Sequence, residues 1–316
     1  MDPKELAFAI ASRRFFQGAQ WLSRLPGQQV KLSRRWGRMA SPYVADRAQL
    51  ELSYVQAFGA TPQVAKELTD QWLASHGLFA TSIFSYKHMN PEWVQQHVKI
   101  DKPEVMQSLQ AQGVLVLSYH SHHHNTLGIV LGQSGVPTWG VAATEKASPM
   151  APYTGRFIRI INGESEAKFG GGKYLFTDEP RNLLRGLKQA FSSQQAVVSI
   201  CDNPAPASDE APVYFRGKQF HVGAGVVAMA LEQGVPITLA LLCSNLQGGY
   251  QLRLKEIPNA NSVHEVLQTY FDFLEEIVLQ TPWAWQGFHW YSGLPQATRL
   301  RADILKSEWS KDKLGE

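Results

Sequence analysis

The stretch Gly113-Val114-Leu115-Val116-Leu117-Ser118-Tyr119-His120-Ser121-His122-His123-His124-Asn125 decides the reading of the fold. An apolar run of strand length ends in four histidines and an asparagine, and a helical pattern over 122–133 follows directly. A continuous apolar run is what a strand buried on both faces of a parallel sheet requires. Open α/β sheets carry their chemistry at the carboxyl ends of strands, where these histidines fall. Histidine changes charge near neutral pH, so it serves as a general base or as a metal ligand.

Working outward, the same strand–helix alternation continues downstream. Strands are expected at 114–119, 138–142, 196–201, 237–243 and 250–255. Helices are expected at 122–133, 149–161, 180–194, 223–233 and 261–280. This alternation predicts an α/β fold with a sheet flanked by helices on both faces. Residues 213–220, broken by Arg216-Gly217-Lys218, read as a hairpin, which makes the sheet mixed. Upstream, helical periodicity spans 5–24, 45–58, 62–89 and 91–98, with Thr61-Pro62 as an N-cap and first-turn pair. The chain is therefore expected to comprise a mostly helical N-terminal region over 1–112, packed on an α/β core over 113–316.

Composition narrows the function classes. A chain of 316 residues with 44% hydrophobic and 18% charged residues is globular. Two cysteines, Cys201 and Cys243, make no disulfide framework and suit a reducing cytoplasm. No apolar run reaches the length of a membrane span, and no signal peptide is evident. The net charge of +3 hides an asymmetry. Residues 1–40 hold eight Lys and Arg against Asp2 and Glu5, leaving 22 basic and 25 acidic residues in the rest. The arginines alternate with Phe15, Phe16, Trp21, Leu22, Leu25 and Trp36. Such a basic, aromatic segment suits peripheral contact with an anionic membrane or an acidic protein, or else a solvated helix face. Nucleic-acid binding is not expected, because the basic residues form no recognisable module.

Two readings of the histidine cluster stay open from the residues alone. In the first, the strand ends at His120 and Asn125 curls back to hold its Nδ1 proton, leaving Nε2 free to take a proton from a nucleophile. In the second, His120, His122 and His124 share one face of an extended strand and bind zinc; the stretch loosely resembles the His-x-His-x-Asp-His zinc motif of metallo-β-lactamase-like hydrolases. That motif's Asp and last His are replaced by His124 and Asn125, and the later ligand segment has no counterpart. Further along, Ser199-Ile200-Cys201-Asp202-Asn203-Pro204 ends another apolar strand on an acid. Val222-Gly223-Ala224-Gly225 then opens an apolar helix that leads to Gly234-Val235-Pro236-Ile237.

The order of these motifs resembles the bacterial lipid A late acyltransferases and, more broadly, the lysophospholipid acyltransferase-like superfamily. Those proteins share a strand ending in His-x4-Asp/Glu, an Arg before a Gly, a strand-end Asp, an aromatic hairpin and a Gly-x-Pro-Val segment. The matching positions are His120, Arg159 before Gly163, Asp202, Phe215 to Gly217 for the hairpin, and Gly223 to Pro236 for the helix and following strand. Pro282-Trp283-Ala284-Trp285 resembles the family's tail. The resemblance covers about 113–295. It implies transfer of an acyl chain from an acyl carrier protein or coenzyme A thioester to a hydroxyl or amine. His120 would be the base, with Asn125 and Asp202 supporting it. Arg159, Arg216, His124 and Trp285 would contact substrate, and no metal or organic cofactor is implied. The chain departs from the family at Asn125, where a carboxylate is usual, and in lacking a His-Arg-Arg cluster in the tail and an N-terminal membrane-spanning helix. These departures point to a cytoplasmic or inner-membrane-peripheral relative with an acceptor other than lipid A. A catalytically impaired relative that binds acyl chains is the further alternative.

Overall fold

The computed structural model describes residues 3–25, 29–40, 45–144, 151–204 and 210–297. Four long helices come first: α1 (Pro3–Leu22), α2 (Gln29–Ala40), α3 (Arg47–Phe58) and α4 (Pro62–Ser82). Thr61 caps α4 by accepting from the Val64 amide, and Pro62 occupies its first turn, as the sequence predicts. A short helix α5 (Pro91–His97), strand β1 (Val98–Ile100) and helix α6 (Pro103–Ala111) lead into the core.

The core then alternates as β2 (Val114–Ser118), α7 (His124–Gln133), β3 (Thr138–Ala142), α8 (Ala151–Glu166), β4 (Tyr174–Phe176), α9 (Pro180–Ser192) and β5 (Ala196–Ile200). A hairpin of β6 (Glu210–Phe215) and β7 (Lys218–Gly223) follows, then α10 (Gly225–Glu232), β8 (Ile237–Ser244), β9 (Tyr250–Ile257) and α11 (Val263–Gln280). The main sheet has seven strands in the order β1-β9-β8-β2-β5-β3-β4. It is an α/β mixed sheet flanked by helices. The source of the mixing differs from the sequence expectation. The β6–β7 hairpin forms a separate two-stranded sheet, and the antiparallel pairing of the main sheet is β9 against β8, with β1 running parallel to β9.

β2 lies centrally between β8 and β5, parallel to both, and all five of its residues are buried. Its alternate residues enter two cores. Leu115 and Leu117 join Leu239, Leu241 and the apolar face of α11, while Val114 and Val116 join Leu127, Val130 and Leu131 of α7. Burial on both faces explains why this strand reads as an unbroken apolar run. The register pairs Ser118 with Ile200, so the two chains leave the sheet side by side. From β2 the chain runs to β3 on one side, and from β5 it runs on to β8 on the other. The crevice between them is a topological switch point, where open α/β sheets bind ligands.

The helical N-terminal region contributes to this core rather than standing apart. β1 extends the sheet by pairing with β9. α2 and α4 cross with backbones almost touching. A Cβ on Gly77 would lie 2.2 Å from the Ser33 carbonyl oxygen, and one on Gly37 would lie 2.1 Å from that of Leu73. Among the described residues no helix is long and apolar enough to cross a membrane. Both cysteines are free and buried.

Candidate active site

Two residues beyond the paired ends of β2 and β5, His120 and Asp202 meet. The His120 ring donates from Nδ1 to Asp202 Oδ1 at 2.6 Å, and the His120 backbone N–H donates to Oδ2 at 2.9 Å. The buried indole of Trp285 donates to the same Oδ2 at 2.6 Å. The 3-10 turn Pro282–Ala284 runs into Trp285, and this segment is pinned to the site by a bridge between Ser121 and Trp285 and by the Gln286 amide donating to the His120 carbonyl. Asp202 is fully buried, whereas the His120 side chain is 26% exposed. A carboxylate accepting at Nδ1 fixes the tautomer and leaves the Nε2 lone pair outward. The Asn203 amide lies 3.4 Å from Nε2, consistent with Nε2 as acceptor.

Electrostatics follow from this geometry. Burial pushes the His120 ring downward, but the charge and hydrogen bond of Asp202 outweigh it and hold the ring above its ordinary value. Burial works to raise Asp202. The charge of His120, the hydrogen bonds from His120 and Trp285 and the backbone amide keep it below the usual carboxylate range. The pair is therefore an aspartate holding a basic imidazole.

His120 opens on a cavity of about 460 Å³ between β2, β3, β5, α7 and α8. Phe79, Val141, Ile158, Ile161, Phe169 and Val198 give it apolar walls, and His124, Asn125, Asn162, Tyr174 and Asn203 add polar groups. Its size suits a ligand site. A second cavity of about 480 Å³ adjoins it through Asn162 and Tyr174, and is lined by Thr144, Arg159, Glu166, Asp178 and Glu179.

The other expected site residues are distributed as follows. Asn125 does not orient His120. Its amide donates to the Tyr174 hydroxyl at 3.1 Å, which in turn meets Ser165 Oγ at 2.9 Å. Its place as imidazole partner is taken by Asp202, because strand register brings the end of β5 closer than a turn of α7 can. His124 lines the cavity beside His120, with ring centroids 5.5 Å apart. Burial and the charge of His120 lower it to about 4, so it is neutral, with Nδ1 donating to the Ser121 carbonyl. Arg159 lies on α8 in the adjoining cavity rather than at His120. Arg216 is a structural residue. At φ +49° in the hairpin turn, it donates twice to the Ala57 carbonyl and pairs with Glu275 at 2.9 Å, tying the hairpin to α3 and α11. Trp285 does not line the cavity; it positions Asp202.

The four histidines diverge instead of converging. His122 is buried against Trp72 and stacks on His76, while His123 packs edge-on to Tyr250. Burial lowers His122 well below its ordinary value, His123 to about 3 and His76 to about 4. Among the described residues, no group of three or more His, Cys, Asp or Glu is arranged to hold a metal ion. The shared face expected of His120, His122 and His124 needs an extended strand, and β2 ends before them.

Sequence reasoning missed Asn203, Asn162, Phe169 and Tyr174 as site residues. Asn203 had a signal, since it follows the strand-end acid directly. Tyr174 sits on a three-residue strand, too short to show periodicity. No family model and no curated protein matches this chain.

Proposed function

We propose that this protein is an acyltransferase. It moves a fatty or related acyl chain from a thioester of acyl carrier protein or coenzyme A to a hydroxyl or amine of a glycan, lipid or natural-product acceptor. One observation carries this reading: a His120–Asp202 dyad whose Nε2, met by the Asn203 amide at 3.4 Å, faces a cavity with apolar walls. The apolar walls suit an acyl chain and the dyad suits activation of a nucleophile.

Asp202 holds the Nδ1 proton, and Nε2 takes the proton of the acceptor hydroxyl or amine. The acceptor atom forms a bond to the thioester carbonyl carbon, giving a tetrahedral oxyanion. Collapse re-forms the carbonyl and breaks the carbon–sulfur bond, and the imidazolium returns its proton to the departing thiolate. General-base assistance of this kind contributes about 10²–10⁴-fold. In this reading Asn203, whose amide meets Nε2 at 3.4 Å, gives up that contact to the acceptor and donates to the developing oxyanion, a role worth about 10²–10³-fold. His124 is neutral and shapes the cavity beside the reacting atoms.

The test is to incubate the protein with acyl carrier protein and coenzyme A bearing a labelled chain, following thiol release and the mass of acceptors. Transfer that His120→Ala abolishes while a bound acyl chain is retained supports the reading. Chain binding without transfer in the wild-type protein overturns it in favour of an acyl-binding role.

A further inference from the structure

The helical pair α1–α2 carries a feature that the site does not use. From residue 6 to residue 45 the chain has seven Lys and Arg and no Asp or Glu. Both helices rest on α4, α2 through Gly37 at Gly77 and α1 through Phe15 against His76. The opposite faces are exposed. On α1 that face presents Ile10, Arg13, Arg14 and Trp21, and on α2 it presents Lys31, Arg35, Arg38 and Met39. Trp21 is 63%, Met39 60% and Ile10 40% exposed.

We propose that this α1–α2 face docks on an anionic lipid bilayer. Charge complementarity is the first reason: an acid-free basic face is attracted to anionic headgroups. The second is how the apolar residues are placed. Ile10 and Trp21 lie roughly 16 Å apart along one helix, set among arginines instead of pooled into the central patch that a protein partner fills. Separate apolar anchors among cations are what a headgroup boundary accepts, and tryptophan favours that boundary. The third is position. α1 stacks Phe16 on Phe157 of α8 at 5.1 Å, and α8 supplies Ile158 and Ile161 to the cavity. The docking face is thus one helix layer from the site. This inference does not depend on the acyltransferase reading, because lipid binding is read without turnover.

The test is flotation of the full-length protein with phosphatidylglycerol–phosphatidylcholine vesicles and with pure phosphatidylcholine vesicles. It is run at low salt and at about 1 M salt, where the screening length shrinks to about 3 Å. The expected result is binding to the anionic vesicles alone, lost in high salt. Arg35→Ala with Arg38→Ala should weaken partition about thirtyfold, at about one power-of-ten step per 1.4 kcal/mol and about 1 kcal/mol per cation. Trp21→Ala should weaken it with the salt dependence retained. Unfolding midpoints check that each variant stays folded. Equal binding to neutral vesicles, no binding at low salt, undiminished binding of the double variant, or binding of an acidic carrier protein instead of vesicles would overturn the proposal.

Discussion

The indole of Trp285 and the carboxylate of Asp202 share a hydrogen bond of 2.6 Å inside the protein, with no water-exposed surface on either side chain. The other acceptor positions of Asp202 face His120. Trp285 therefore keeps a buried charge satisfied without touching the cavity. Trp285→Phe would preserve most of the ring packing and remove one donor. Hydrogen bonds to charged groups contribute about 1.5–3 kcal/mol. A loss of about 2 kcal/mol in urea unfolding is expected, together with slower thiol release and little change in KM. Unchanged stability would mean that Asp202 finds another donor.

Asp202→Asn tests the other half of the pair. An amide in this place can present its N–H₂ to Nδ1, forcing the proton onto Nε2 and blocking the base. In serine-protease triads the equivalent change costs about 10⁴ in rate. A loss of about 10³–10⁴ in kcat is expected, measured by thiol release, with the fold intact by circular dichroism. Asn125→Ala should lose far less, because its amide faces Tyr174; a comparable loss would restore Asn125 to the catalytic pair.

The pH dependence has two limbs with different origins. His120 is raised by Asp202 and must be neutral to act as base, so activity should rise with pH through a midpoint above the ordinary histidine value. The stability that the raised His120 contributes is fully present below its unfolded value and is lost as pH rises through its folded value. His76, His123 and His124 behave oppositely, since their folded values fall to about 4, 3 and 4. Between about pH 6.5 and 4 the unfolded chain takes up protons that the native protein does not. Stability should fall with acidification by about 1.4 kcal/mol per pH unit for each such ring. Thermal unfolding from pH 7 to 4 checks this, and His123→Phe should flatten the slope. A flat profile in the wild-type protein would mean that these rings gain protons in the folded state.

Much of the core was legible because parallel strands buried on both faces are written as apolar runs. The runs over 114–119, 138–142 and 196–201 correspond to β2, β3 and β5 within a residue, and the strand-end positions of His120 and Asp202 were visible with them. Their meeting was not, since it depends on the pairing of Ser118 with Ile200, a relation between segments and not within one. Local spacing suggested Asn125 as the partner for that reason. α2 went unread because Arg34, Arg35, Trp36 and Gly37 form a polar helix whose burial comes from crossing α4 at Gly77. β1 and β4, at three residues each, are too short for periodicity to register. Arg216 looked available for substrate at a hairpin tip, but the tip folds onto α3, where the Ala57 carbonyl claims its donors.

The 82 positions that separate His120 from Asp202 make the dyad an emergent property of tertiary assembly. Slipping β5 by one residue against β2 would invert every side chain along it and carry the acid away from the ring. During refolding, chemical competence should thus reappear together with closure of the central sheet and not with the earlier gain of helix. A polypeptide severed in the α8 region would regain it only on reassociation of its two pieces.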